Sequence, residues 1–117
     1  MAIYFEVNNQ FHRTLIALAD SFVIQHAMAR VLEMPFASPN AFVHESGDIH
    51  HSWRTLLLGQ EHHRGILDAI KQKQATRAEF LLREHAYLSL HTLKRYVEQR
   101  SEFSRIPGGS LITPYRT

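Results

Sequence analysis

With 117 residues the chain has room for one domain and its core, and a second module is not expected. Hydrophobic residues at 44% and charged residues at 21% are an ordinary globular balance, with no run near the ~20 apolar residues of a membrane span and no signal-peptide shape at the start. Zero cysteines exclude disulfides, thiolate metal sites and cysteine nucleophiles, and fit a cytoplasmic location. The formal charge is only +2 and the basic residues are scattered among acidic ones, so no stripe is expected to hold nucleic-acid phosphates.

Strand signals are nearly absent and four segments carry helical spacing, so the fold class is expected to be all-α, an antiparallel helical bundle. The first helix is expected from about Ile3 to Ala19. At ~100° per residue one arc collects Ile3, Tyr4, Phe5, Val7, Phe11, Leu15, Ile16, Leu18 and Ala19, and the opposite arc is polar. Asn8 and His12 break the pattern. They are polar, sit inside the apolar arc, and are neighbours on one face because four residues separate them.

Asp20 or Ser21 can cap a second helix reaching about Met34, with Ile24, Met28, Val31 and Leu32 as its buried stripe. Pro35 closes it, and residues 35–48 read as a connection whose Phe36 and Phe42 pack back on the helices. A third helix starts after Asp48 and runs to about Lys73, with a possible kink at Gly59. The fourth runs from about Thr76 to Arg100. The helical domain is thus taken as 1–105, with 106–117 as an irregular tail around Pro107 and Gly108-Gly109.

Nine histidines are unusual for this length, and their placement is more telling than their number. His63 and His85 are 22 residues apart about a midpoint at Gln74, inside the stretch where helical patterning lapses. In an antiparallel hairpin, positions equidistant from the turn lie at the same height, so these imidazoles should face each other. Each is also centred on an apolar face: Leu56, Ile66, Leu67 and Ile70 flank His63, and Ala78, Leu81, Leu82, Leu88, Ser89, Thr92 and Tyr96 flank His85.

One such histidine is ordinarily a hydrogen-bonded core residue. Three on three helices (His12, His63, His85) invite a common partner, because an unpartnered buried imidazole costs about 1–3 kcal/mol. A divalent metal accepts three neutral imidazoles and an oxygen, whereas a structural bundle would have them bond one another and water. His62 is read as facing away, and His26, His44, His50, His51 and His91 as surface residues. No Glu-x-x-His pair, HExxH, phosphate-binding glycine loop or GxSxG elbow occurs, which counts against a di-iron bundle and the common hydrolase sites.

Taken together, Asn8-Asn9-Gln10-Phe11-His12-Arg13-Thr14-Leu15, Glu61-His62-His63-Arg64-Gly65-Ile66-Leu67-Asp68-Ala69-Ile70, Ala78 and His85 resemble the FCD domain. This is the effector-binding domain of GntR-family bacterial transcription regulators. The family pattern has Asp or Asn four residues before the histidine of a Phe-His pair, a histidine opening an H-x-x-I-x-x-A-I helix, and a further histidine 22 residues on. Asn8, His12, His63 and His85 match it in order and spacing.

The resemblance implies a small-molecule effector, often a carboxylate, above a divalent transition metal held by Asn8, His12, His63 and His85. Zinc is the first expectation, with nickel, iron or manganese as alternatives. It also implies a homodimer, no enzymatic activity, and contact with DNA only through a winged-helix domain that this chain lacks, along with the first helix or two of the usual effector domain. Ser89, Thr92 and Tyr96, beyond His85 on its face, are the candidate effector contacts. Position 8 is Asn where metal-binding members often carry Asp, so weaker metal affinity is expected. The alternative to a sensor is a metal-dependent enzyme using the same histidines, for which no general base is visible on the histidine-bearing faces.

Overall fold

In a computed structural model of the chain, the described residues are 2–34, 40 and 49–98, with the side chains of 2, 49–52, 96 and 97 left aside. They form four helices, α1 (Ala2–Ala17), α2 (Phe22–Leu32), α3 (Ile49–Lys71) and α4 (Ala75–Glu98). Among the described residues there is no strand, and the all-α class expected from the sequence holds. The expectations for Phe36, Phe42, His44 and the tail 106–117 lie outside the described residues, as do those for the side chains of His50 and His51.

The helices fall into two compact units, one built on α1 and α2 and the other on α3 and α4. In the first, α1 ends in a turn where Asp20 adopts a positive φ of 44° and its N–H bonds the carbonyl of Ala17 at 3.0 Å. Ser21 then caps α2, its Oγ accepting from the Ile24 N–H at 3.4 Å, as a serine preceding a helix does. The α2 stripe expected to be buried is at most half-buried, at Met28 and Leu32. No residue of α2 is buried; Ile24 and Val31 are exposed, and Phe22 is 81% exposed. Helical spacing shows that an apolar face exists, but burial needs a surface to cover it, and among the described residues this face is covered only in part.

The second unit is a helical hairpin. Lys73 takes φ 57°, its N–H bonds the carbonyl of Ile70 at 3.0 Å, and the Gln74 N–H reaches back to the carbonyl of Ala69 at 2.8 Å. This is the Schellman closure of a helix end, with lysine at the left-handed position that usually holds glycine. The carboxylate of Asp68 clamps the turn from outside, accepting from Arg77 at 2.6 Å and from Gln72 at 2.8 Å. Those two hydrogen bonds, led by Arg77, hold its carboxyl below the usual range.

Only three residues separate α3 from α4, so the helices must run antiparallel, and their facing positions step outward from the turn. A Cβ on Gly65 would meet Leu81, and one on Gly59 would meet His85 and Leu88. Helix α3 runs unbroken through Gly59. Ile66 and Ala69 are fully buried at this seam, with Ala78 on the α4 side.

Candidate metal centre

His63 is buried on α3, three residues before the fully buried Ile66, so the stripe that forms the seam carries the imidazole into it. His85 on α4 meets it with Nε2 to Nε2 at 3.1 Å, ring centroids 4.5 Å apart and planes tilted by 58°. The equal height expected from their spacing about the turn is found. One turn before His63, Gly59 leaves room beside the pair: a Cβ there would lie 3.8 Å from His85 Cε1 and 4.0 Å from Leu88 Cδ2.

A separation of 3.1 Å suits two arrangements. One nitrogen can carry a proton and donate it to the other, since neutral imidazole has one donor and one acceptor nitrogen. Alternatively both lone pairs can point at one cation. Two nitrogens ~2.0–2.1 Å from a metal are about 3.3 Å apart at a tetrahedral angle and about 2.9 Å apart at a right angle. The observed distance lies between those values, so the separation of the pair is compatible with a shared metal.

Asn8 and His12 belong to the other unit. Both project from α1, where Asn8 is buried and His12 half-buried, its ring edge-on to Phe11 with centroids 5.3 Å apart. Burial lowers the His12 pKa below its ordinary value of 6.5, so near neutrality the ring is uncharged, the form that ligates a cation. The Asn8 side chain is held by Asn40, whose Oδ1 accepts from Asn8 Nδ2 at 2.8 Å. Asn40 Nδ2 in turn donates to the Phe5 carbonyl at 3.1 Å and to Asn9 Oδ1 at 2.9 Å.

The candidate effector contacts divide. Thr92 is buried, with its hydroxyl donating to the carbonyl of Leu88 in its own helix at 2.9 Å. Ser89 is exposed. Tyr96 stands on α4, and its side chain lies outside the described residues.

Two residues were given no role from the sequence. His62, expected from the sequence to face away, is half-buried, its ring edge-on to His85 with centroids 5.8 Å apart and its Nδ1 buried without a hydrogen-bond partner. Gly65, three residues on, accounts for this: without a side chain there, α4 comes close to α3 and covers a wider arc than the apolar stripe alone. Asn40 lies in the Pro-, Ser- and Asn-bearing connection. Only its distance from α1 in sequence hid its role, since nothing local marks a pairing with Asn8.

The family model of the FCD domain matches residues 1–87. The chain belongs to the FCD family. The matched span takes in Asn8, His12, His63 and His85 and stops short of Ser89, Thr92 and Tyr96. Comparisons with curated proteins and with solved structures gave no significant match. Among the described residues no helix is long and apolar enough to cross a membrane.

Proposed function

We propose that this chain is the ligand-sensing and dimerisation domain of a GntR-type transcription regulator. In this reading His63 and His85 hold a divalent metal together with His12, each giving one ring nitrogen, and with the amide oxygen of Asn8. The observation that carries it is the 3.1 Å approach of two buried-face imidazoles in a chain of the FCD family. The donor set is nitrogen-rich and lacks sulfur, which suits zinc first and nickel, iron or manganese next.

All four ligands are neutral, so a bound cation would keep its positive charge in a poorly solvated setting and draw an anionic effector, a small carboxylate. The chain's own contribution is to present lone pairs, exclude water with the Ile66 seam, and leave space beside Gly59. Of Ser89 and Thr92, Thr92 is the better placed as an effector contact, since it is buried and Ser89 is exposed. The exposed apolar residues of α2, led by Phe22 and Val23, supply surface for a second copy. In the full regulator, effector binding would bias helix packing and with it a winged-helix partner domain.

The test is a thermal-shift series against small mono-, di- and tricarboxylates, run with Zn2+ and with a chelator, beside a turnover assay on each acid. A saturable rise in melting temperature that needs the metal, without product, supports the sensor. Product formation would support the enzyme instead. No response to any acid in either condition would remove the carboxylate from the reading.

A further inference from the structure

The hydrogen bonds around Asn40 fix more than its own position. The Phe5 carbonyl can only accept, so the end of Asn40 that lies 3.1 Å from it must be the NH2 group. The second N–H of that group goes to Asn9 Oδ1 at 2.9 Å. Asn40 therefore turns its oxygen to Asn8, and at 2.8 Å only the NH2 end of Asn8 can meet an oxygen there. The orientation of the Asn8 amide thus follows from a backbone carbonyl three residues earlier, through one intermediary side chain. Its Oδ1 is the end turned away from Asn40.

We propose that Asn40 is a positioning residue which selects the amide orientation of Asn8, so that oxygen rather than NH2 is presented to the metal; this rests on the metal reading above. An amide nitrogen has no lone pair to give a cation, so a reversed Asn8 would remove a ligand and put two N–H groups in its place. Reversal is blocked because it would set two oxygens 2.8 Å apart, and Asn40 cannot reverse in compensation without turning its own oxygen on the Phe5 carbonyl. The same constraint makes Asn8 and Asn40 a matched pair. An Asp at position 8 would place a carboxylate oxygen against Asn40 Oδ1, so the extra charge would be partly wasted in repulsion.

The experiment is a double-mutant cycle on the full chain, with Zn2+ affinity read by competition against a chromophoric chelator and Co2+ spectra read in parallel. Asn40→Ala should weaken Zn2+ binding roughly 10-fold or more, the range seen when an orienting partner of a metal ligand is lost. In the Asn8→Ala background the same change should add nothing, and the Co2+ spectrum of Asn40→Ala should move to that of Asn8→Ala. Asn40→Asp separates positioning from folding. It still accepts from Asn8 but cannot donate to Phe5, so it should lower the melting temperature while keeping Zn2+ affinity at or above the wild-type level.

The inference is overturned if Asn40→Ala weakens binding equally in both backgrounds, or if Asn40→Asp loses as much affinity as Asn40→Ala. If His63→Ala abolishes Zn2+ binding but Asn8→Ala does not weaken it, the metal reading stands and this inference falls. If Zn2+ stays bound with both His63 and His85 replaced, the two fall together.

Discussion

His63 and His85 point their Nε2 atoms at each other across 3.1 Å, from helices joined by only three residues. In the metal-free protein the two nitrogens can share one hydrogen bond, one ring donating and the other accepting. Replacing one with leucine takes that hydrogen bond from the ring that remains, at a cost of up to about 1–3 kcal/mol. Replacing both removes the polar groups in pairs and should cost less than the two single changes together. Urea unfolding of His63→Leu, His85→Leu and the double variant, all in chelator, measures this. Strict additivity would show that the rings do not depend on each other.

His12 sets a pH dependence with a definite sign. Its pKa in the folded chain is lowered by burial, whereas the unfolded chain takes up a proton near 6.5. Below 6.5 the unfolded state binds more protons, so stability should fall as the pH drops from 6.5 towards the folded value, and His12 should contribute no slope above it. Melting temperatures of wild type and His12→Phe between pH 5 and 8 isolate this part (both ends of the range chosen to bracket imidazole titration). The wild-type curve should drop more steeply on the acid side. Parallel curves would mean that His12 titrates alike in both states.

The hairpin turn carries an avoidable strain. Lys73 sits at φ 57°, in the region where a side chain is disfavoured by roughly 1–2 kcal/mol, offset in part by the extra freedom glycine gives the unfolded chain. Lys73→Gly should therefore raise stability by about 0.5–1 kcal/mol. Urea unfolding of that variant checks it, with Lys73→Ala as a control that leaves the φ penalty in place.

The two seam glycines should differ. A methyl at Gly59 would make ordinary contacts at 3.8 and 4.0 Å, so Gly59→Ala should gain most of the ~1 kcal/mol helix-propensity difference. A methyl at Gly65 would meet Leu81 Cδ1 at 3.3 Å, so the side chain must shift and the gain should shrink or reverse. Equal effects of the two changes in chemical denaturation would contradict the close approach of α4 at Gly65.

Much of this was legible in the chain itself. The spacing of His63 and His85 about Gln74 gave both their pairing and their height, because an antiparallel hairpin allows no other register. Ser21 was readable as a cap for the same local reason. What escaped depended on partners distant in sequence or on how closely helices approach. Asn40 bonds residues 31 to 35 positions away, which no local pattern reveals. His62 is covered because α4 comes close at Gly65, and the α2 stripe is a face with only partial cover among the described residues. Lys73 escaped because left-handed helix ends are sought at glycine.

The most direct measurement is Zn2+ binding to the purified chain by calorimetry, with His63→Ala and His85→Ala alongside. The expected result is saturable, stoichiometric binding by the wild type that is lost in each variant, while circular dichroism shows both still helical. Undiminished Zn2+ binding by the two variants would contradict a metal centre at the His63–His85 pair.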